Sequence, residues 1–365
     1  MKILHTESSC GWGGQEVRTL TESEGMIARG HQVTIACPET SNIYKEASKR
    51  GIPTVFLPIE KKRLSSLRAM QRFLASNQFD VINTHSSTDS WLVSLCLAFK
   101  KRRPGIVRTR HLSTTVHNNR STLWLYRKGN DFIATTGEKL RQTLHDDNGI
   151  PLEKMKSVPT GIDEQKFKPA KDKVSVKKTL GIPTDKIIIG ILATLRDWKG
   201  HEYLLEALST ITTNNYHLLM IGDGPYRPSI EKKIADLSLR DKVTMTGNQD
   251  NVVPWLQTLD IFALPSYGNE GVPQSIMQAM LCEQPIISTD VGSILEVLKH
   301  EQNGYCVKSR DSKSLAKAIE MLLVDEHKRQ KFGAFSRQYA LKNCTHAQMI
   351  DDMEAIFQNS VHRAR

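Results

Sequence analysis

Short apolar segments alternate with helical segments along the first half of the chain, and this alternation restricts the possible folds more than any other feature. Parallel strands need a connection long enough to cross the sheet, usually a helix. The pattern therefore predicts a doubly wound parallel sheet. Strands are predicted at residues 2–6, 32–36, 54–57, 81–84 and 105–110, with helices that include residues 15–29, 64–76 and 91–100.

The same pattern begins again after a lysine-rich polar stretch at residues 166–178. New strands are predicted at residues 186–193, 218–221, 243–246, 261–264 and 285–288, with helices at residues 201–211, 314–323 and 347–359. A chain of 365 residues is also longer than the roughly 250–300 residues at which a single core stops growing. We therefore expect an α/β protein with two Rossmann-like domains facing a central cleft. They cover residues 1–165 and 166–345, and a C-terminal helix within residues 346–365 packs back on the first domain.

Positive charge is concentrated in the first half of the chain. The net charge is +11, and residues 1–160 hold 24 Lys and Arg against 14 Asp and Glu, whereas the remainder holds 26 against 25. A bias of this kind predicts an acidic partner, which is a membrane surface, a phosphorylated acceptor or a nucleic acid. The basic clusters are Lys61-Lys62-Arg63 with Arg68 and Arg72, and Lys100-Lys101-Arg102-Arg103 with Arg108 and Arg110.

The sequence favours a cytoplasmic protein. Its six cysteines are scattered without a C-x-x-C pair, as expected in a reducing compartment. No signal-peptide stretch opens the chain, and the longest apolar runs, residues 91–99 and 187–195, are about half a bilayer span. We expect any membrane contact to be peripheral, on the inner face of the cytoplasmic membrane. The apolar stripe of helix 64–76 is typical of either an interfacial helix or a core-facing one, and both remain open.

Two loops that follow predicted strands suit phosphate groups. Residues 11–14 read Gly-Trp-Gly-Gly, and glycines there let backbone N–H groups approach a phosphate or sugar at a helix N-terminus. Residues 194–200 carry Arg196 and Lys199, two cations suited to stabilising a diphosphate leaving group. Each loop alone is also compatible with a structural turn or a solvated surface pair.

A third loop, residues 265–280, carries a lone carboxylate between glycines ahead of a helix. Glu270 is suited to accept hydrogen bonds from sugar hydroxyls, and Gln278 lies about two helical turns later, so both side chains are expected to reach one ligand. Without context, Glu270 reads equally as a turn residue and Gln278 as a helix-surface amide.

Together these segments resemble the family 4 retaining glycosyltransferases of the GT-B fold, over essentially the whole chain. The strongest match is Glu270-Gly271-Val272-Pro273 with the later Gln278-Ala279-Met280. Supporting matches are Gly13-Gly14, Arg196 with Lys199-Gly200, Gly222-Asp223-Gly224-Pro225, and Asp260 with Pro265-Ser266. The resemblance implies a hexosyltransferase-type enzyme of bacterial lipopolysaccharide or polysaccharide biosynthesis. Its second domain would bind a nucleotide-diphosphate sugar, and its first a lipid-linked or glycan acceptor.

The resemblance also implies roles for single residues. Glu270 would bind hydroxyls of the donor sugar, Arg196 and Lys199 would neutralise the departing diphosphate, and Gly14 would approach it from the first domain. Gln278 would meet the ribose diol. The full donor-binding set is Gly13, Gly14, Arg196, Lys199, Gly222, Glu270, Gly271, Val272 and Gln278.

Two positions depart from the family pattern. Gln278 stands where the family has a second Glu, so it can still accept and donate hydrogen bonds but without charge assistance. The family arginine often lies five residues before the lysine, where this chain has Thr194, and Arg196 lies only three before it.

Two histidines follow predicted strands of the first domain. His85 follows residues 81–84, and His111 lies in the segment 108–114, which resembles the family loop whose histidine lies beside the reacting sugar. We therefore expect His85, Arg110 and His111 on the acceptor side, with His111 also catalytic alongside Glu270, Arg196 and Lys199. The resemblance implies retention without a covalent intermediate. Since no DxD-type carboxylate pair is found, we expect neither a metal nor a cofactor beyond the donor.

Other functions remain open from the sequence alone. The fold also supports nucleotide-sugar epimerases and phosphorylases, and Gln278 is compatible with an inactive relative. A nucleic-acid-binding protein is disfavoured because the basic clusters lack interleaved aromatic residues. The donor base, which backbone groups near residues 246–250 are expected to recognise, stays unidentified, as do the donor sugar and the acceptor.

Overall fold

The chain folds into two compact units in a computed structural model that describes residues 1–100, 102–111, 115–268 and 270–364. Unit 1 comprises Met1–Gly161 and His346–Arg365, and unit 2 comprises Ile162–Thr345. The sequence predicted the first domain boundary between residues 165 and 166, whereas along the chain unit 1 ends at Gly161 and unit 2 begins at Ile162. The difference arises because Ile162 already pairs with unit 2, through a hydrogen bond from its N–H to the carbonyl of Cys344.

Unit 1 is built on a parallel sheet. Its strands are β1 Lys2–Thr6, β2 Gln32–Cys37, β3 Thr54–Phe56, β4 Val81–Thr84, β5 Gly105–Arg110, β6 Phe132–Thr135 and β7 Met155–Ser157. Within the described residues the strand order is β3-β2-β1-β4-β5-β6-β7, so the direction of winding reverses between β1 and β4. Its helices are α1 Gly14–Ala28, α2 Asn42–Lys49, α3 Leu64–Ser76, α4 Ser87–Leu97, α5 Arg120–Arg127, α6 Glu138–Asn148 and the C-terminal helix His346–Ala364.

Both faces of this sheet are buried. Ile3 lies in the core cluster covered by α1 and the C-terminal helix, whereas its neighbour Leu4 lies in the cluster covered by α3 and α4. Val81 and Ile82 divide between the same two clusters. Successive side chains of a strand point to opposite faces, so helices on both sides account for the continuously apolar strands.

The structure decides between the two interpretations of helix 64–76. Met70 is fully buried in the unit 1 core, and Leu67, Phe73 and Leu74 pack against the same cluster, while Leu64 at the start of the helix is exposed. The apolar stripe is therefore core-facing over most of its length. Across the described part of the chain, the helices are too short or too polar for any of them to span a bilayer.

Unit 2 repeats the architecture. Its strands are β8 Ile187–Leu192, β9 Tyr216–Ile221, β10 Val243–Met245, β11 Ile261–Leu264, β12 Ile286–Thr289 and β13 Gly304–Val307. Its helices are α7 Lys173–Thr179, α8 His201–Thr210, α9 Arg227–Asp236, α10 Val253–Gln257, α11 Gln274–Leu281, α12 Ser312–Val324 and α13 Glu326–Asn343. The described strands run in the order β10-β9-β8-β11-β12-β13, all parallel. Two doubly wound parallel sheets are thus confirmed.

Several elements escaped prediction because their sequences are short or polar. They are β6, β7, β13, α5, α6, α7, α9, α10 and α13. Helix α7 lies inside the lysine-rich stretch and is stabilised by its neighbours: Asp172 accepts the N–H of Ser175, and Lys173 and Lys177 donate to Asp260 at 2.9 and 3.2 Å. Asp260, one of the motif residues, therefore anchors a helix.

The C-terminal helix lies directly against β5 at Gly105. A Cβ atom at this position would lie 2.7 Å from the backbone carbonyl carbon and oxygen of Ser360. A backbone cannot swing aside as a flexible side chain can, so this close approach requires glycine.

We expect Gly105→Ala to lower the free energy of unfolding of unit 1 by about 1–3 kcal/mol, because the added methyl forces the C-terminal helix away from the sheet. Urea denaturation followed by circular dichroism measures the change. Gly11→Ala is the control, since its added carbon would meet only the Ser9 hydroxyl at 3.3 Å. Equal losses of stability in the two variants would show that the helix has room to adjust.

Candidate functional site

Each sheet reverses its direction of winding once, and an open α/β sheet binds ligands beside the loops at that point. In unit 2 the reversal lies between the paired strands β8 and β11. The loop after β8 carries Lys199, and the loop after β11 carries Glu270. Residues 71 positions apart in the sequence are thereby brought to one edge of the sheet.

Lys199 and Glu270 form a close ion pair. The Lys199 Nζ lies 2.7 Å from Glu270 Oε1, and the Ser266 hydroxyl donates to the same oxygen at 2.6 Å. The glutamate side chain is 5% exposed and the lysine side chain 20%, so water screens the pair little. The sequence assigned both residues to one site with Glu270 as its lone carboxylate, and the structure adds the direct ion pair between them.

Glycines allow the loops around this pair to approach one another. Gly200 and Gly292 have φ angles of +79° and +62°. A Cβ at Gly200 would collide with the carbonyl of Pro265, and one at Gly292 would collide with the carbonyl of Glu270. Only glycine combines a left-handed backbone with so close an approach, so these positions fix the loop that presents Glu270.

Two further cations of unit 2, Arg196 and Arg310, lie beside aromatic rings. The exposed Arg196 guanidinium is 5.0 Å from the ring centre of Trp198, so it lies in the Lys199 loop without joining the ion pair. Arg310 lies 4.2 Å from the ring centre of Tyr267, whose hydroxyl donates to Asp197 at 3.0 Å. Sequence reasoning missed Arg310 because it follows β13, a strand that was not predicted.

The remaining donor-side candidates surround the same edge. Gly222 follows β9 with φ +132°, and a Cβ there would collide with the carbonyl of Ala193. Val272 is buried and Gly271 half-buried just before α11. Gln278 is half-buried on α11, and its side chain has no hydrogen-bond partner among the described residues. Asn269, within the predicted loop, lies outside the described residues.

In unit 1 the winding reverses between β1 and β4, and three histidines form a chain there. His5 Nδ1 lies 2.9 Å from His85 Nε2, and His85 Nδ1 lies 2.9 Å from His111 Nε2. Burial lowers the pKa of His5 to about 3 and holds the pKa values of His85 and His111 well below the ordinary range. His85 and His111 were expected here, but His5 was missed because it sits inside a strand.

The environment of His5, the buried end of the histidine chain, determines which ring nitrogen carries the proton in each of the three imidazoles. His5 Nε2 is buried and has no hydrogen-bond partner among the described atoms. An orphaned buried N–H is rarer than an orphaned acceptor, so we assign the proton of His5 to Nδ1. His5 then donates to His85, and His85 donates to His111. The remaining proton of His111 lies on Nδ1.

Two carboxylates that sequence reasoning missed complete this region. Glu7 accepts hydrogen bonds from the Ser9 N–H at 2.7 Å and from the side chains of Ser86 and Gln15 at 2.5 Å. Burial, together with the charge of Asp89, raises the pKa of Glu7 to about 8. Asp89 caps α4 by accepting the N–H groups of His85 and Ser86, both at 2.9 Å. Both lie just beyond the carboxyl ends of β1 and β4, which is the positional signal that identifies them.

A cavity of about 180 Å³ adjoins the histidine chain. Gly13 and Gly14 lie nearby in sequence, exposed at the N-terminus of α1. Residues 112–114 of the predicted histidine loop lie outside the described part of the chain. The lining residues are Gln15, His85, Ser86, Ser87, Arg108, Arg110 and His111.

Comparison with known proteins identifies the class to which these two units belong. The family model Glycosyltransferase Family 4 matches residues 12–166, and the model Glycosyl transferases group 1 matches residues 172–339. The chain belongs to the family 4 glycosyltransferases of the GT-B fold, and it is a glycosyltransferase.

Among its relatives, the chain is 25% identical over 345 residues to the UDP-Gal:alpha-D-GlcNAc-diphosphoundecaprenol alpha-1,3-galactosyltransferase of Escherichia coli, covering 89% of both chains. It is 24% identical over 265 residues to the lipopolysaccharide core biosynthesis mannosyltransferase LpsB of Rhizobium meliloti, covering 69% of this chain and 73% of that one. The crystal structure of Anabaena HepE in complex with UDP has a TM-score of 0.86 at 18% identity, covering 98% and 100%, and shares the fold.

His201, which follows Lys199 and Gly200, is buried, and its burial predicts that the stability of unit 2 depends on pH. Burial lowers its pKa to about 4, so below pH 6.5 the unfolded state binds a proton that the folded state does not. We expect His201 to cost unit 2 about 1.4 kcal/mol of stability per pH unit as pH falls from 6.5 toward 4. Urea denaturation across this range should therefore show a shallower pH slope for His201→Gln.

The exposed His327 provides the control. His327→Gln should keep the wild-type slope of unfolding free energy against pH. If His201→Gln kept that slope too, the imidazole at position 201 would be titrating normally in the folded protein.

Proposed function

We propose that this enzyme transfers a sugar, with retention of configuration, from a nucleotide-diphosphate donor bound by unit 2 to an acceptor bound by unit 1. The Lys199–Glu270 ion pair at the winding reversal of unit 2 carries this proposal. It places an ammonium group and a carboxylate, the two chemistries needed for a diphosphate and for sugar hydroxyls, 2.7 Å apart at a ligand-binding edge.

In this proposal the donor site works by charge and orientation. Lys199 and Arg196 stabilise the negative charge that develops on the departing diphosphate as the glycosidic bond breaks. Glu270 accepts hydrogen bonds from the sugar, and its ion pair with Lys199 holds both groups in place before the donor arrives. The leaving phosphate takes the proton of the acceptor hydroxyl, so the protein supplies no nucleophile. Gly13, Gly14, Gly222, Gly271, Val272 and Gln278 complete the donor contacts.

The acceptor side is assigned to unit 1. His85, Arg110 and His111 line its cavity beside the winding reversal, and neutral imidazoles there suit hydrogen bonding to hydroxyl groups. Unit 1 holds 26 Lys and Arg against 17 Asp and Glu, whereas unit 2 holds 24 against 22. This excess favours a lipid-linked, lipopolysaccharide or polysaccharide acceptor, and peripheral contact with the cytoplasmic face of an anionic membrane. The named acceptor of the Escherichia coli relative, a diphosphoundecaprenol, is of this kind.

The proposal includes transfer without a metal ion, because Lys199 and Arg196 supply the positive charge. Activity should therefore persist in excess EDTA. An EDTA-sensitive enzyme that magnesium or manganese restores would reject this part of the proposal and leave the transfer reaction itself standing.

A donor screen tests the proposal as a whole. Ligand binding raises thermal stability by mass action, so nucleoside diphosphates and their sugars are ranked first by the shift in melting temperature. The best donor is then incubated with and without glycan and lipid-linked acceptors. Sugar transfer supports the proposal, whereas an epimerised free nucleotide sugar or phosphorolysis would assign another reaction to the fold.

Glu270→Gln should lower kcat about 100-fold or more, because the amide keeps the shape of the side chain but loses the negative charge that pairs with Lys199 and strengthens the hydrogen bonds to the sugar. Glutamine is preferable to alanine here, since alanine would leave Lys199 without its partner. Initial rates with the best donor measure the effect. Glu320→Gln, an exposed substitution on α12, is the matched control and should retain wild-type rates. A fully active Glu270→Gln enzyme would remove Glu270 from the site.

Gln278→Glu should keep or improve transfer if position 278 meets the ribose diol, because a carboxylate strengthens the hydrogen bonds to both hydroxyls. The KM for the donor should be equal to or below that of the wild type, and kcat should be unchanged. A rise in donor KM would place the ribose elsewhere.

A further inference from the structure

Two adjoining cavities in unit 1 share three lining residues, Ser87, Arg108 and Arg110. The first is the cavity of about 180 Å³ beside His85 and His111, and the second has a volume of about 300 Å³. The lining residues of the second cavity are Lys62, Ser87, Trp91, Arg108, Arg110, Thr115, Val116, His117, Thr122, Leu125 and Tyr126.

The described lining of both cavities contains three cations, Lys62, Arg108 and Arg110, and no Asp or Glu. Asp89 is the carboxylate that acts on Arg108, but its oxygens already accept hydrogen bonds from Thr6 and from backbone N–H groups. Burial and the nearby charge of Arg108 lower the pKa of Lys62. This crowding of positive charge is what a bound anion would relieve.

Arg108 is a buried residue that lines both cavities. Its residue is 3% exposed, and its guanidinium lies 4.4 Å from the ring centre of Tyr126. Its Nη1 is buried and has no hydrogen-bond partner among the described residues. A buried N–H group that lacks a hydrogen-bond partner is costly, and Arg108 lines the cavities where a ligand could approach it.

Lys62 lines the second cavity. Lys62 is exposed as a residue, but its ammonium is partly desolvated: it donates to Ser87 Oγ at 3.4 Å and lies 5.5 Å from the ring centre of Trp91. A flexible point charge and a rigid, planar guanidinium in one cavity lining are a combination suited to a tetrahedral phosphate, which Arg binds through two parallel hydrogen bonds.

The cavity cations are distinct from the neighbouring surface cluster. Residues 100–103 precede β5, whereas Arg108 and Arg110 lie at its carboxyl end, beside the histidine chain. Arg103 is already paired with Asp131 at 2.6 Å. The sequence grouped Arg108 and Arg110 with residues 100–103 and placed Lys62 in the other basic cluster, whereas the structure brings Lys62, Arg108 and Arg110 to one cavity lining.

We propose that Lys62, Arg108 and Arg110 form an anion subsite that binds the phosphate or diphosphate ester of the acceptor, next to the cavity where His85 and His111 meet its hydroxyl. The identity of the ligand as an acceptor rests on the proposed function. The existence of the anion site does not.

Binding of inorganic pyrophosphate, measured by isothermal titration calorimetry, tests the site without catalysis. Lys62→Met should weaken binding about tenfold, the loss of one charge-assisted contact. Lys61→Met removes the same charge from the exposed neighbouring residue and should leave the Kd unchanged. Pyrophosphate bound in unit 2 would be common to both variants, so their difference reports on unit 1. Equal Kd values for the two variants would overturn the site.

Arg108→Lys provides a second variant that keeps the buried positive charge but loses the planar guanidinium, which can donate two parallel hydrogen bonds. Its pyrophosphate binding should also be several-fold weaker than that of the wild type, in a protein whose circular dichroism spectrum is unchanged. Undiminished binding in a folded Arg108→Lys protein would remove Arg108 from the site.

Two acceptors then connect the site to the reaction, one an alkyl diphosphate sugar and the other a neutral alkyl glycoside of the same sugar. The ratio of kcat/KM for the charged acceptor to that for the neutral one should fall about tenfold in Lys62→Met and stay at the wild-type value in Lys61→Met. An unchanged ratio in Lys62→Met would overturn the acceptor assignment. If neither acceptor were used while the pyrophosphate result held, the anion site would stand and the proposed function would fail.

Sedimentation with phosphatidylglycerol vesicles, against phosphatidylcholine vesicles, separates a specific ester from a lipid surface. We expect Lys61→Met and Lys62→Met to reduce vesicle binding equally, because attraction to an anionic membrane depends on the total positive charge of the protein surface. Only Lys62→Met should weaken pyrophosphate binding. If Lys62→Met weakened vesicle binding but left pyrophosphate binding unchanged, these cations would bind the membrane surface and the subsite would be rejected.

Discussion

The reversal of winding in each parallel sheet is the constraint on which the rest of this structure depends. Where two neighbouring strands send their connections in opposite directions, their carboxyl ends are left without a crossing helix, and side chains there can face a ligand. In unit 2 this point receives Lys199 and Glu270, and in unit 1 it receives the chain from His5 to His111. Both candidate sites therefore follow from the same topological feature.

The two sites handle charge in opposite ways. In unit 2 the buried carboxylate of Glu270 is neutralised by Lys199 and hydrogen-bonded by Ser266, so its charge is balanced before any ligand binds. In unit 1 burial keeps the imidazoles uncharged, while Arg108 and Lys62 keep positive charge that no lining carboxylate balances among the described residues. The first arrangement suits a site that must hold its own geometry, and the second suits a site completed by an anion.

Unit 1 also buries a pair of oppositely charged side chains on α1. Arg18 and Glu22 are fully buried on α1, 3.8 Å apart, and the Arg18 guanidinium donates to the carbonyl of Val158 at 2.5 Å. Glu22 in turn accepts a hydrogen bond from Asn83 at 3.1 Å. The charge of Arg18 also contributes to the lowered pKa values of His85 and His111, which links this buried pair to the histidine chain.

The sequence by itself determined the fold class, because strand-sized apolar runs separated by helices leave parallel sheets as the one economical way to bury both faces. It also predicted Lys199, Glu270, His85 and His111 as candidate site residues, since loops after strands are recognisable from local pattern and these loops resemble those of the family. Tertiary structure alone decided that Glu270 is paired, that His5 begins a chain of imidazoles, and that Arg108 is a buried cation apart from Lys100. These facts depend on which strands lie side by side and on which groups lose their water. Neither is encoded in local periodicity, because both arise only when residues distant in the chain pack together.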